Sequence, residues 1–385
     1  MKKGIIISIL ALTLIGCSNK GEETSSTSSI GPFDIVSIDA KAINPDIKYL
    51  STFDENNIEV KVTKGNGDIE YIPVSELIID DSDFNSTDLS NKTSVTIFTE
   101  KYKYSQEIEF NIVPRDDFKV LFIGNSFSHN LITFMKPIAN NLGITSEIGN
   151  LNIGGASIDD HLGFIGSTIK PYIYEYVEDN GTITINSPVN GTVGLNDKKW
   201  DFISFQQNSL FSGMGDSYDD AFNLIASAFS HIEDNDTARA LWHMTWAYQS
   251  DYSDSRFESY HYDQMEMYNG IVDAVNTWIV DNPFISGIIP SGTAIQNART
   301  SFVGDHLTVD GFHLNEGLGC YIIGLLGVKS LTNCDLSKLT YRPSSVSELQ
   351  MQMAIEAVEN AFVNPFEITE STYTDGPTYN NILKN

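Results

Sequence analysis

Basic residues are scarce in this 385-residue sequence: 23 Lys and Arg stand against 51 Asp and Glu, for a formal net charge of −28. Nucleic acids and anionic lipid headgroups bind proteins through basic patches, so neither is an expected partner. The acidic excess keeps a protein solvated and fits a substrate that is neutral or weakly charged. With 41% hydrophobic residues, the sequence still has enough apolar material for folded cores.

Cysteines and metal-ligand motifs are also scarce. Beyond Cys17 there are only Cys320 and Cys334, too few for a disulfide framework and without the spacing of a zinc site. One bridge between them and two separate buried thiols both fit the sequence. No His-Glu-x-x-His motif occurs, and we expect no metal and no cofactor. The histidines without metal-ligand spacing are His129, His161, His231, His243, His261 and His306.

An apolar run from Gly4 to Ile15 follows two lysines and is too short to span a bilayer stably. It leads into Leu-Ile-Gly-Cys17, which resembles the bacterial lipobox. The resemblance implies that Cys17 is lipidated and becomes the mature N-terminus. We therefore predict a signal peptide over 1–17, a Ser/Thr-rich tether over 18–31, and a cell-envelope protein held only by its lipid at the outer membrane or cell surface. A plain secretory signal with a chance cysteine is the alternative.

Residues 32–115 show the alternation of apolar and polar residues that is typical of strands. The pattern is clear at 58–62, 93–98 and 108–113, and turn signals such as Gly-Asn-Gly-Asp at 65–68 separate the runs. No helical stretch interrupts them, which predicts a small all-β sandwich. The layout resembles bacterial Ig-like domains, and this resemblance implies a spacer or docking role.

Residues 117–364 alternate short apolar runs with stretches of helical spacing, which predicts an α/β domain with a mostly parallel sheet. The segment 170–200 breaks this rhythm and predicts an inserted β-hairpin on an Asn-Gly turn. Residues 365–385 are expected to form a loosely ordered tail. The predicted strands are 119–123, 202–205, 240–244 and 285–289, and the predicted helices are 128–142, 218–232, 263–280 and 317–331.

One candidate catalytic motif is Gly124-Asn-Ser126, directly after the first predicted strand and before a helix. Gly124 allows a tight turn there. The helix start offers free N–H groups and a positive dipole end, so a nucleophile at Ser126 would have its oxyanion stabilised by its own N–H. The alternative is that Ser126 or Ser128 merely caps the helix.

The second motif is Asp310-Gly-Phe-His313, on a loop before an apolar helix. An aspartate and a histidine three residues apart can approach each other, so that the carboxylate orients the imidazole and stabilises its charged form. Asp310 as a simple turn residue and His313 as an ordinary helix-start residue are the alternative.

Together the two motifs resemble the first and last sequence blocks of the SGNH/GDSL hydrolases. In that superfamily the serine is the nucleophile, here Ser126. The Asp-x-x-His pair completes the triad, here Asp310 and His313. The resemblance implies that the chain needs no cofactor.

The two middle blocks of the superfamily carry the oxyanion hole. The second block falls on Gly154-Gly155 and implies the Gly155 N–H as a donor beside the serine's own, with Gly154 as the alternative. The third block departs from the usual Gly-x-Asn-Asp, because Gln206-Gln207-Asn208 follows the strand. We predict Asn208 as the side-chain donor; Gln206 and Gln207 remain alternatives.

The resemblance extends over about 118–335 and is to an uncharacterised SGNH-like branch found in bacterial lipoproteins. Trp246 and Tyr248 lie past a predicted strand end, where they would line a sugar-binding cleft or else pack in the core. His243 and His306 are further candidates for the pocket wall, with surface or core positions as the alternative. The other matching motifs are 241–248, 263–268 and 294–299.

These features predict a flavodoxin-like SGNH three-layer sandwich with a mostly parallel central sheet, preceded by the Ig-like sandwich. The implied function is a cell-envelope serine esterase that removes acyl groups, acetyl in particular, from a glycan or another small ester. Acyl transfer to a second sugar would use the same residues. The alternative from another class is an inactive surface lipoprotein that binds a glycan or a protein.

Overall fold

The structure is a computed structural model that describes residues 30–235 and 237–376. The predicted signal peptide, the lipidation site at Cys17 and nearly all of the tether lie outside the described residues. Within the described ranges, no helix combines the length and the apolar character that crossing a bilayer requires.

The first part of the described chain is all β. Its strands form two sheets, one ordered β1-β3-β4 and the other β2-β7-β6-β5. Alternate side chains of β6 are buried, as period-two patterning requires, and they meet Val60 and Val62 of β3 between the sheets. An all-β unit was predicted here, and its Ig-like character stays a prediction. The strands are β1 (Ile35–Ala42), β2 (Asp46–Lys48), β3 (Ile58–Lys64), β4 (Ile69–Ile72), β5 (Ile78–Asp80), β6 (Lys92–Thr99) and β7 (Tyr104–Val113).

This β unit packs directly against the rest of the chain. Lys48 forms ion pairs of 2.6 and 2.8 Å with Asp116 and Asp117. Tyr49 is buried beside Phe362, with ring centroids 5.9 Å apart. Apolar contact and paired charges therefore join the two units.

The second part is a mixed α/β unit built on one large, mostly parallel sheet. In the described residues its order is β11-β10-β9-β8-β12-β13-β14. The five parallel strands, numbered within this unit, follow the flavodoxin-like order 2-1-3-4-5, and their order reverses between β8 and β12. The strands are β8 (Asp117–Gly124), β9 (Thr145–Asn152), β10 (Tyr172–Val177), β11 (Ile183–Val189), β12 (Phe202–Phe205), β13 (Arg239–His243) and β14 (Ile285–Ile289).

The predicted hairpin is confirmed: β10 and β11 pair antiparallel, and β10 also pairs antiparallel with β9. Gly181 in its turn has φ +84°, a conformation that glycine adopts without strain.

Helices cover both faces of this sheet. Val120 and Phe122 of β8 point into one apolar layer, while Leu121 and Ile123 point into the other. The first layer is covered by α1, α2, α7, α8 and α9, and the second by α3 to α6. The helices are α1 (Ser126–Ile132), α2 (Met135–Asn141), α3 (Ile158–Phe164), α4 (Gly191–Leu195), α5 (Ala221–Ser230), α6 (Gln264–Val275), α7 (Ser291–Arg299), α8 (Leu318–Thr332) and α9 (Glu348–Val363).

Two predictions about local structure were wrong. The single helix predicted over 128–142 is split into α1 and α2, because Pro137 has no N–H to offer the carbonyl four residues earlier. The described part of the predicted loose tail, 365–376, is packed against the domain, whereas 377–385 lie outside the described residues. There the Thr369 N–H donates to Asn297 Oδ1 at 2.7 Å, and the Ser371 hydroxyl donates to a carboxylate of α9 at 2.6 Å.

Candidate active site

Ser126 is the first residue of α1, directly past the carboxyl end of β8. Asn125 caps this helix, because its Oδ1 accepts the Phe127 N–H at 3.0 Å. The Ser128 hydroxyl lies 2.8 Å from both the Asn125 carbonyl and Asn150 Oδ1, so its one proton is shared between these two acceptors. The capping interpretation of the two serines is therefore wrong, and Ser126 keeps its hydroxyl for another partner.

Gly124 is required here for space rather than for a tight turn. A Cβ at this position would lie 2.7 Å from Ser128 Oγ and 2.8 Å from the Gln206 side chain. The last residue of β8 must therefore have no side chain, because the Gln206 amide packs against it.

Asp310 and His313 lie in a turn that is closed by hydrogen bonds from backbone N–H groups to the Asp310 side chain. Asp310 Oδ1 accepts the His313 N–H at 2.8 Å and the Phe312 N–H at 3.2 Å. Gly311 has φ +93°, and a Cβ there would meet the Tyr252 ring at 2.2 Å, so only glycine fits.

The structure brings Ser126, His313 and Asp310 into one hydrogen-bonded line. The Ser126 hydroxyl lies 2.8 Å from His313 Nε2, and His313 Nδ1 lies 2.7 Å from Asp310 Oδ2. Burial raises the pKa of Asp310, but the hydrogen bonds from the His313 ring and from the His313 and Phe312 backbone outweigh it. They hold this pKa below its ordinary value. A charged carboxylate thus orients an imidazole whose other nitrogen accepts from a hydroxyl, the arrangement that activates a serine nucleophile.

The predicted oxyanion donors line the same cavity, which has a volume of about 500 Å³. Its wall includes Ser126 and His313 together with Gly154, Gly155 and Asn208. Gly155 has φ +70°, and a Cβ there would point into open space. Among residues 30–235 and 237–376, no acceptor is found for the N–H of Ser126 or Gly155. Both donors are thus free for a ligand.

Asn208 and Gln207, two candidates for the side-chain donor of the oxyanion hole, lie in different places. Asn208 lines the cavity, its Nδ2 donates to the Gly155 carbonyl, and its Oδ1 accepts the Leu210 N–H at 2.7 Å. Gln207 is buried away from the cavity, where its Nε2 donates to the Ser217 carbonyl at 2.7 Å. Asn208 is therefore the third-block amide placed beside Gly155, while Gln207 supports the loop.

Comparison with known families identifies the larger unit. Residues 119–361 match the family described as Domain of unknown function (DUF4886), a span of more than half the chain. The chain belongs to the DUF4886 family. A crystal structure of a DUF4886 family protein from Bacteroides uniformis is 37% identical, with a TM-score of 0.64, and the match covers 68% of this chain and 100% of that one. No curated protein matches the chain.

Two distant structural neighbours are each 10% identical to the chain, and the match covers 56% of it in both cases. One is an alpha/beta hydrolase enzyme from the metagenome of Lake Arreo, with a TM-score of 0.35 and 94% of its chain covered. The other is a gut microbial diltiazem-metabolizing enzyme, with a TM-score of 0.33 and 47% covered. At this level of likeness, neither says what the DUF4886 domain does.

The prediction that Trp246 and Tyr248 line the cleft was wrong. Both side chains are fully buried, with 0% exposure. Trp246 stacks on Phe127 at 4.0 Å between ring centroids and donates to the Phe312 carbonyl at 2.7 Å. It therefore packs beneath the helix that carries Ser126. The aromatic wall of the cavity is Phe312, with the Arg256 guanidinium 4.6 Å from its ring centre.

The remaining predicted candidates lie elsewhere in the DUF4886 domain. His243 is buried behind the cavity, and neither His243 nor His306 lines it. Cys320 and Cys334 are both free and buried. The open question about the two thiols thus resolves to separate buried side chains.

A partly buried ion pair that was not predicted from the sequence holds the segment leading to Asp310. Arg299 Nε of α7 lies 2.7 Å from Asp305 Oδ1, and Arg299 Nη2 donates to the Ala247 carbonyl at 3.1 Å. Asp305 Oδ2 also accepts the Ser250 N–H at 2.7 Å. The pair therefore joins α7, the loop after β13 and the loop that carries Asp310 and His313.

Replacement of Arg299 by leucine is expected to lower the free energy of unfolding by about 1–3 kcal/mol, because it leaves the partly buried Asp305 carboxylate without its cation. Urea unfolding would measure this loss. The double variant Arg299→Leu/Asp305→Leu is the matched control and should recover part of the stability, since no unpaired charge remains. A loss below about 1 kcal/mol in the single variant would contradict this role of the ion pair.

Proposed function

We propose that the chain is a serine esterase of the SGNH type. The observation that carries the proposal is the line from Ser126 through His313 to Asp310, with distances of 2.8 and 2.7 Å, beside two unbonded N–H groups. Its place also fits, because ligands of flavodoxin-like sheets bind at the carboxyl ends of the strands where the strand order reverses. Ser126 follows β8, one of the two strands at that reversal.

The geometry supports the following reaction. His313 Nε2 takes the Ser126 proton as Oγ attacks the ester carbonyl. The oxyanion is stabilised by the N–H groups of Ser126 and Gly155 and by the Asn208 amide. His313 then protonates the leaving alcohol, and water, activated in the same way, releases the acid from the acyl-enzyme. Asp310 holds the imidazole in the tautomer with its proton on Nδ1.

We further propose that the substrate is a short acyl ester, acetyl in particular, carried by an uncharged carbohydrate. The cavity presents polar donors together with the apolar face of Phe312. A sugar can bind such a site, because its hydroxyls accept from polar groups while its ring packs on an aromatic side chain. The net charge of −28 disfavours strongly anionic carriers. The lipobox-like segment supports a place in the cell envelope, where such glycans are exposed.

Acetate release from p-nitrophenyl acetate and from acetylated xylan tests the proposal. The purified protein should release acetate from both, and treatment with a sulfonyl fluoride that acylates reactive serines should abolish the release. No release by a folded, untreated protein would refute the esterase. Xylan binding without release would then favour the glycan-binding alternative.

Replacement of Asp310 by asparagine is expected to lower kcat by about 10³- to 10⁴-fold. An amide that turns its NH₂ group to Nδ1 favours the tautomer with the proton on Nε2, which cannot accept from Ser126. Steady-state kinetics on p-nitrophenyl acetate measures the effect, and an unchanged melting temperature is the control for the turn. A kcat within tenfold of the wild type would show that Asp310 does not orient the base.

A further inference from the structure

The two backbone oxyanion donors belong to different segments, and the Asn125 side chain joins them. Asn125 Oδ1 accepts the Phe127 N–H at 3.0 Å, at the start of the helix that carries Ser126. Its Nδ2 donates to the Ala156 carbonyl at 3.1 Å, in the turn that carries Gly155. One buried amide therefore sets the spacing between the two donors.

A chain of buried hydrogen bonds extends from this amide into the protein. Gln206 Nε2 donates to Asn125 Oδ1 at 2.9 Å. Gln206 Oε1 lies 3.0 Å from His243 Nδ1, and His243 Nε2 lies 3.0 Å from the Ser291 hydroxyl. Each of these side chains is at most 3% exposed. We call Asn125, Gln206, His243 and Ser291 the amide relay.

The hydrogen bonds of the amide relay all run in one direction. Burial lowers the pKa of His243 to about 3, so the ring is neutral, with one donor and one acceptor nitrogen. The Gln206 NH₂ group faces Asn125, so the Gln206 side-chain carbonyl oxygen must accept from His243 Nδ1–H. Nε2 then accepts from the Ser291 hydroxyl. Reversal of any member would oppose two donors or two acceptors in a buried site, which is costly.

The proposed ester hydrolysis does not use the amide relay. Gln206 and His243 do not line the cavity, and within the described residues no hydrogen bond joins either of them to Ser126, His313 or Asp310. Their place is nonetheless determined by the sheet: the register pairs Phe205 with Ile123 on one side and with Trp242 on the other. Gln206 therefore lies between the ends of β8 and β13.

We infer that Gln206 and His243 are positioning residues that set the oxyanion hole by fixing the orientation of the Asn125 amide. This inference rests on the proposed esterase function. Oxyanion donors act mainly in the transition state, so a misplaced Asn125 lowers kcat and leaves KM nearly unchanged. If Gln206 and His243 had a purely structural role, their replacement would lower the melting temperature without lowering kcat at constant KM.

Replacement of His243 by leucine is expected to lower kcat on p-nitrophenyl acetate by about 10- to 100-fold, less than the loss of a whole oxyanion donor, with KM within about threefold. An aryl boronate that mimics the tetrahedral intermediate should bind more weakly by a similar factor. His243→Asn is the conservative rescue, since its Nδ2 lies near the position of the imidazole Nδ1 and can still donate to Gln206. It should regain most of the lost kcat.

Ser291→Ala gives a milder test that does not depend on the leucine variant folding, because it removes only the outermost hydroxyl. It should lower kcat by about three- to tenfold at constant KM. The inference is overturned if folded His243→Leu and Ser291→Ala both keep kcat within twofold of the wild type. It is also overturned if His243→Asn is as impaired as His243→Leu. Failure of the wild type itself to hydrolyse esters would instead refute the proposed function, and this inference with it.

Discussion

Replacement of Ser126 by alanine is expected to lower kcat for p-nitrophenyl acetate by about 10⁴- to 10⁶-fold. In the proposed mechanism, the hydroxyl that lies 2.8 Å from His313 Nε2 is the group that forms the acyl-enzyme, and alanine offers no substitute. KM should change little, because the cavity wall and the backbone donors remain. Steady-state kinetics and the burst of p-nitrophenol at high enzyme concentration measure both parts, and the burst should disappear.

Ser128→Ala is the matched control for this variant. Ser128 belongs to the same motif and the same helix, but its hydroxyl is buried between the Asn125 carbonyl and Asn150 Oδ1 instead of facing His313. We expect Ser128→Ala to keep kcat within about tenfold of the wild type while losing about 1–3 kcal/mol of stability, since Asn150 loses a donor. Equal losses of activity in the two variants would contradict the assignment of Ser126.

Replacement of His313 by alanine should lower kcat by a similar factor, about 10⁴- to 10⁶-fold, because a serine hydroxyl without its base is a poor nucleophile. The loop should survive, since Asp310 Oδ1 accepts from the backbone N–H of residues 312 and 313, which alanine retains. Thermal unfolding checks this point.

The double variant Ser126→Ala/His313→Ala distinguishes a catalytic unit from two independent contributions. Groups that act as a unit are strongly non-additive, so the double variant should be about as slow as either single variant. Multiplication of the two losses would indicate that Ser126 and His313 do not act on the same step.

The alignment of Ser126, His313 and Asp310 could be predicted because each motif is local and the sheet brings the two motifs together. Ser126 and His313 are 187 residues apart. Ser126 follows a strand, however, and the loop with Asp310 and His313 precedes a fully buried helix, α8. In a parallel α/β sheet the carboxyl ends of the strands share one edge, which is where the serine had to lie. The sequence therefore predicted the α/β class and the candidate triad together.

The roles of the side chains around the triad could not be predicted in the same way. Trp246 and Tyr248 do follow β13, but their burial depends on what packs above them, here Phe127 and Phe312. Sequence patterns give the period of a strand and not the direction of a loop side chain. The split between α1 and α2 had a local signal in Pro137, which the helical spacing of the apolar residues masked.

The amide relay had a signal of a different kind. Gln206 directly follows β12 and His243 ends β13, so both polar side chains lie at the carboxyl ends of adjacent parallel strands. Polar residues in that place, inside otherwise apolar runs, indicate a buried network near a site. Their partner Asn125 could be found only from the register that puts β8 beside β12.

Labelling with a fluorophosphonate tests the role of Ser126 most directly, because this reagent attaches covalently to a serine that a neighbouring base activates. Intact-mass analysis and peptide mapping of the labelled protein would locate the adduct. We expect one adduct, on Ser126, that forms with the wild type and with Ser128→Ala and is lost in Ser126→Ala and His313→Ala. A folded wild-type protein that takes up no label, or takes it up on another serine, would contradict the catalytic role of Ser126.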